Sequence, residues 1–281
     1  MMAEKQDIPL SGTLAELEAR MAPAARAWME PRDLGGVPVL EARLPGAFRA
    51  CFTTRIGGNS TGPFESLNLD PSSRDERRAV EANRKSISEA IQRRLVSPRQ
   101  VHGVRVAGAA EYVREKPGSE CDGLSLHPDI DGDLAAALLF ADCVPVVLCG
   151  EVDMAVAHGG WRGILGGIVQ QAGRSTMGAP ATVIVGPSLG PCCFEVGEDL
   201  AEAFGRRYGQ EVVVRPDSEG SRPRVDLWEA VTKAASELGV QREHVVNPRL
   251  CTSCNSDLFY SYRKEGPETG RHACLGWIAG S

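Results

Sequence analysis

The 281-residue sequence has only five histidines, and aromatic residues make up 5% of the chain. It has no apolar run longer than the eight residues Leu134 to Ala141, far short of the roughly 20 that cross a bilayer as a helix. The start, MMAEKQDIPLSG, lacks an apolar targeting core, so a cytoplasmic chain without a membrane partner is expected. Neither charge sign dominates: 31 basic residues face 37 acidic ones for a net of −6, with no long run of one sign. That balance argues against a nucleic-acid partner and leaves a small molecule as the default. No internal repeat and no Pro/Gly-rich linker divides the chain, which points to one domain. Nine cysteines in a long chain do not fit a small disulfide-stapled secreted fold; they suggest free thiols or metal ligands. The Walker glycine-lysine loop, the dinucleotide fingerprint and the G-x-S-x-G elbow are all absent.

Residues 1–35 read as an N-terminal extension, with an Ala/Glu/Arg stretch from Leu14 to Met29 interrupted by Pro23; residues 36–281 form the main unit. From Val37 onward, short apolar runs alternate with Gly and Pro. Strands are expected at VPVLEA, GAFRACFTT, Val101 to Val106, Leu134 to Phe140, Pro145 to Leu148, Asp153 to Ala157 and Ala181 to Val185. Helical spacing marks Arg74 to Leu95, a segment after Arg162, Glu198 to Arg207 and Asp226 to Leu238. Strands outnumber helices and several joining loops are too short for a crossover helix, so the sheet should be mixed rather than doubly wound.

The chemistry gathers at strand ends. His102 in RQVHGVRV and His158 in DMAVAHGGW each close an apolar stretch and precede glycine, and Cys143 in LLFADCVPVV sits before Pro145, which should break an interior ladder. Two imidazoles and a thiolate would leave a fourth position open, as in a catalytic zinc site. Spacings of 41 and 15 residues match no local motif, so core residues with ordinary partners remain the alternative. A second set, Cys192-Cys193 with Cys251 and Cys254, is disfavoured: adjacent cysteines rarely share one tetrahedral ion, and a second C-x-x-C is missing. Cys149 reads as core, because an unbroken strand would carry it about 20 Å from Cys143. Arg162, at the start of a helix, and Arg55, before a glycine loop, are placed to meet an anion or to pair with a surface carboxylate.

Taken in order, FTTRIGGNSTGPFESLNLD, Asn83-Arg84, QVHG, CDGL, ADCVPVVL, AHGGWRG, VGPSLGPCCFEVG, VDLW, CTSC and FYSYRKEGPETGR resemble the laccase-domain, YfiH-like family of purine nucleoside phosphorylases, across about 37–278. Older usage calls this family polyphenol oxidase. The resemblance implies a single-domain α/β fold, a multilayer sandwich of mixed β-sheets with helices outside. It also implies a zinc held by His102, Cys143 and His158, which double as the catalytic residues. Adenosine, inosine, guanosine and methylthioadenosine, with phosphate, are the implied substrates, and adenosine deamination is a second implied activity. Arg55, Asn68 and Arg162 fall on substrate-binding motifs, and Asp142 reads as a group orienting a ligand. Copper is less expected than zinc, since five histidines fall short of what a trinuclear copper oxidase needs. The chain departs from the family pattern at Gly159 and at Cys121-Asp122-Gly123, where alanines are usual; the role of Cys121 is left open. A cysteine-dependent amidase editing peptidoglycan precursors, with Cys143 as nucleophile, is the rival reading, and a nucleoside-binding module without turnover is a third. A monomer or weak homo-oligomer is expected.

Overall fold

The computed structural model describes residues 10–216 and 220–280, so residues 1–9 of the N-terminal stretch lie outside the described residues. The strands are β1 (Met29–Leu34), β2 (Val37–Ala42), β3 (Phe48–Thr53), β4 (Arg94–Val96), β5 (Val106–Gly108), β6 (Gly123–Leu126), β7 (Leu134–Phe140), β8 (Val144–Cys149), β9 (Met154–Gly159), β10 (Thr182–Val185), β11 (Val213–Val214), β12 (Arg224–Val225), β13 (Val245–Val246) and β14 (His272–Ile278). The helices are α1 (Leu10–Arg20), α2 (Arg77–Ile91), α3 (Ala109–Arg114), α4 (Pro128–Asp131), α5 (Trp161–Gly166), α6 (Ile168–Arg174), α7 (Glu198–Tyr208), α8 (Leu227–Ser236) and α9 (Tyr262–Glu265).

Two six-stranded mixed sheets carry the fold, in the orders β1-β2-β3-β14-β7-β4 and β13-β10-β8-β9-β6-β5; β11 and β12 form a small ribbon. The alternation of side chains along each strand explains the layers. On β7, Leu134, Ala136, Leu138 and Phe140 enter the core between the sheets, while Ala135 and Ala137 face the layer containing Ile87 and Ile91 of α2. On β9, Met154 and Val156 face the first sheet; Ala155 and Ala157 face Ile164, Ile168, Val169 and Ala172 of α5 and α6. With both faces buried, the central strands read as continuous apolar runs rather than alternating ones. The result is the multilayer α/β sandwich of mixed sheets with outer helices, as the sequence implies.

Several boundaries differ from the sequence reading, each for a local reason. The run Val101 to Val106 is a strand only from Val106, because the Val101, His102 and Gly103 amides turn to the Asp122 carboxylate instead of a ladder. The helix expected over 74–95 is Arg77–Ile91; Gln92 takes a left-handed conformation at φ 54° and the chain re-enters the sheet as β4. The helix after Arg162 begins at Trp161 and is cut in two by Gly167 at φ 94°. Pro145 is accommodated as the second residue of β8: its carbonyl accepts from the Gly186 amide, just past the last residue of β10. No ladder donor is needed there.

The N-terminal stretch is tied to this frame. β1, with Pro31, pairs with β2 as an edge strand, the position where proline is tolerated. Leu17, Met21, Ala25 and Met29 are buried in the core between the sheets.

His272 enters the inter-sheet core opposite Phe140 with neither ring nitrogen hydrogen-bonded, and edge-on to Phe259. Burial, followed by the Arg271 and Arg55 charges, pushes its pKa down to about 3. The folded protein therefore keeps the neutral ring while the unfolded chain protonates near 6.5, so stability held above that value is lost as pH falls toward 3. We expect this group to remove about 2 kcal/mol of stability between pH 8 and pH 5. Urea unfolding at the two pH values should show a correspondingly shallower loss in His272→Phe; equal losses in both proteins would contradict the assignment.

Candidate active site

Three segments converge where β7 ends, β8 begins and β9 ends. Cys143 lies on the short connection between β7 and β8, His158 on β9 opposite Pro145, and His102 on the loop before β5. Their ligand atoms all fall within 4.8 Å of one another. The two imidazoles meet edge to face at 4.8 Å between ring centroids, and Phe140 covers His158 at 5.3 Å. His158 is buried, Cys143 half-buried and His102 exposed, so the cluster opens on the His102 side. The other histidines lie elsewhere: His127 accepts from the Asp129 amide at the start of α4, His244 stands against Trp28, and His272 is in the core.

Asp122 organises this cluster. Fully buried, its carboxylate accepts the amides of Val101 (3.1 Å), His102 (2.8 Å) and Gly103 (2.9 Å), and its Oδ1 lies 3.0 Å from His158 Nδ1. Burial alone would raise its pKa, but the His158 hydrogen bond and the amide donors outweigh burial and hold it below the usual carboxylate range. The same contacts hold the His102 backbone at φ 62°, a conformation uncommon for a side chain of this size. Burial likewise opposes ionisation of Cys143, yet the His158 and His102 imidazoles prevail and the thiol titrates below its ordinary range. His158 titrates above its ordinary range, because Cys143 and Asp122 together overcome its burial.

The donor set fits a metal ion. With Nδ1 of His158 committed to a carboxylate, Nε2 is the nitrogen left for coordination, a pattern that fixes the tautomer and raises ligand basicity. Gly160 makes the approach possible: a Cβ there would stand 2.5 Å from His102 Cδ2 and 3.5 Å from Cys143 Sγ. Asp142, beside Cys143, is held at φ 96°; its carboxylate accepts from the Thr252 and Ser261 hydroxyls (both 2.7 Å) and from the Arg263 amide (2.6 Å). All of these donors come from a segment distant in sequence.

The anion-binding candidates occupy different settings. The Arg55 guanidinium is buried, stacks on Tyr260 at 4.3 Å, and donates to the Ser256 carbonyl and the Glu265 carboxylate. Glu265 also accepts from the Ser261 amide and the Thr269 hydroxyl, linking Arg55 through Ser261 to Asp142. Asn68 is buried, donates to Ser73 and Asp75, and accepts from the Asp70 and Arg271 amides. Arg162 is exposed and lies over the Trp161 ring at 4.2 Å, two residues past Gly160. A cleft of about 610 Å³ lies beside the Asn68 loop, lined by residues including Phe64, Arg74, Glu265, Thr269 and Arg271; the three ligands do not line it.

Residues 49–279 match the family described as multi-copper polyphenol oxidoreductase laccase. The chain belongs to this family. It is 34% identical over 240 residues to the purine nucleoside phosphorylase PA4543 of Pseudomonas aeruginosa, covering 83% of this chain and 95% of that protein. It is 32% identical over 191 residues to the adenosine deaminase RL5 of an unknown prokaryotic organism, covering 63% of this chain and 72% of the relative. The solved structure of Neisseria meningitidis protein NMB0706 is similar at TM-score 0.77 and 30% identity, covering 86% of this chain and 99% of that one.

In the sequence, CDGL supports the resemblance but gives Asp122 no role of its own. The signal was an acidic residue at the mouth of a buried apolar strand, a position that requires compensating donors. Gly160→Ala should displace His102, and Asp122→Ala should release the His102 amide and the His158 ring from their shared acceptor. With zinc as the probe ion, each should weaken metal binding at this site about 10- to 100-fold in chelator competition; unchanged affinity in both would refute this construction of the site.

Proposed function

We propose that the chain is a zinc-dependent purine nucleoside phosphorylase acting on adenosine, inosine, guanosine and methylthioadenosine, with adenosine deamination as a second reaction at the same site. One observation carries the reading: His102, Cys143 and His158 gather around Asp122, in a chain related to proteins named for both activities. The proposed catalytic unit is residues 36–281, preceded by residues 1–35 as an N-terminal extension, in a cytoplasmic protein that is a monomer or weak homo-oligomer. Nine free thiols suit a reducing compartment, and no helix among the described residues is long and apolar enough to cross a membrane.

Zinc held by the two imidazoles and the thiolate would supply Lewis acidity toward phosphate or water, a role suited to an open coordination position. The remaining work falls to the chain. Asp122 keeps the proton of His158 on Nδ1 and so fixes which nitrogen faces the reaction. Asp142, pinned by Thr252, Ser261 and Arg263, positions the backbone that presents Cys143. Arg162, exposed over the Trp161 ring two residues past Gly160, is the proposed phosphate contact. Arg55 and Asn68 are proposed as substrate-binding groups: Arg55 positions Glu265 at the cleft, and Asn68 holds Asp70 and Ser73 of its wall. Glutamate does not stand beside either ligand histidine, so the proton moved in deamination needs another carrier.

Inosine and phosphate should yield hypoxanthine and ribose 1-phosphate, and adenosine in water should yield inosine and ammonia. Removing the metal, or Cys143→Ala, should lower both rates at least 100-fold. Full-rate phosphorolysis without metal would overturn the proposal, and a trapped Cys143 thioester formed without metal would turn the assignment to a cysteine-dependent amidase.

A further inference from the structure

A second cluster of soft donors lies outside this site. Cys192, Cys193, Cys251 and Cys254 have sulfur atoms all within 4.8 Å of one another. Cys254 Sγ is 3.6 Å from Cys192 Sγ and 3.5 Å from Cys193 Sγ. These separations are far beyond a disulfide bond of about 2.05 Å. They are close to the edge of about 3.8 Å that four sulfurs form around an ion at about 2.3 Å.

Two features of the sequence count against the cluster: a second C-x-x-C is missing, and adjacent cysteines rarely share one ion, since in an extended chain they point to opposite faces. Here Cys192-Cys193 lies in a tight turn: the Cys193 and Phe194 amides both donate to the Gly190 carbonyl, at 3.0 and 3.1 Å. Curling the backbone this way directs both thiols to Cys254. The Cys251–Cys254 segment is wound likewise, with the Asn255 amide on the Cys251 carbonyl at 3.0 Å. The two turns are docked on one another: Ser188 and Cys251 form a parallel bridge, and the Gly190 amide donates to Cys251 Sγ at 3.3 Å. An amide aimed at sulfur stabilises a thiolate. Arg263 adds positive charge beside the cluster through its bond to the Cys193 carbonyl at 2.9 Å.

We propose that Cys192, Cys193, Cys251 and Cys254 form a structural zinc site with four thiolate ligands, separate from the His102, Cys143 and His158 site. A full set of protein ligands leaves no open position, so the ion serves the fold rather than the chemistry. What it ties together is specific. The site joins the 186–195 loop to the 251–263 segment, whose Thr252, Ser261 and Arg263 hold Asp142 beside Cys143, while the Asp142 carbonyl accepts the Leu189 amide. The proposal stands independently of the nucleoside reading.

Elemental analysis of the full-length protein, purified without added metal or chelator, should give two zinc ions per chain, and Cys143→Ala should retain one. X-ray absorption at the zinc edge of Cys143→Ala should show only sulfur neighbours, at about 2.3 Å. Cys192→Ser and Cys254→Ser should each lose that ion while keeping the other. Cys143→Ala without zinc, nitrogen or oxygen neighbours around its remaining ion, or a disulfide among the four cysteines would each overturn the proposal. The Cys143→Ala measurements do not depend on the folding of the Cys192 and Cys254 variants.

Discussion

A buried carboxylate cannot remain charged without donors. Asp122 meets that requirement with three consecutive amides and one imidazole, and the geometry of the centre follows. The amides bend 101–103 out of the sheet and turn His102 toward the cluster; the imidazole bond fixes the orientation of His158. Removing either partner of such a buried charged pair typically costs about 3–5 kcal/mol. The charge therefore binds a loop and a strand end into one unit.

The sandwich supplies the setting. His158 continues the face of β9 on which Met154 and Val156 enter the inter-sheet core, so a histidine appears where that face reaches the end of the strand. Cys143 reaches the same end because β7 and β8 are joined by only a few residues. Two non-glycine residues with left-handed backbone, His102 and Asp142, flank the centre. Such conformations persist where surrounding contacts over-determine them, and here the two carboxylates, Asp122 and Asp142, supply those contacts. The Asp142 carboxylate meets Thr252, Ser261 and Arg263, so the proposed structural site and the candidate active site meet at residues 142–143.

Much of this was legible in the sequence. Continuous apolar runs gave β7, β8 and β9 to within a residue or two, and the mixed character of the sheets followed from short connections. His102, Cys143 and His158 could be singled out as candidates because histidine is scarce and each stands at a break in an apolar run, and the structure brings the three together. What could not be read depended on contacts between distant residues. Nothing local indicates that the amides of 101–103 abandon a ladder for Asp122, or that Arg55 is engaged by Glu265 more than 200 positions away. The four-cysteine cluster is disfavoured by spacing alone because whether neighbouring thiols diverge depends on the turn closed on the Gly190 carbonyl; Gly190-Pro191 marks a turn there, but not which way it aims the two thiols.

The central claim is that Asp122, by holding the 101–103 backbone and the His158 ring, lets two imidazoles and a thiolate meet in a geometry that takes one metal ion. Anomalous diffraction from crystals grown with zinc, collected on both sides of the metal edge, tests it most directly. The account requires a peak about 2.0–2.3 Å from His102, Cys143 and His158, with His158 coordinating through Nε2 and Nδ1 still on Asp122. A peak bound through Nδ1 of His158, or density showing the three side chains turned away from any shared ion, would contradict it.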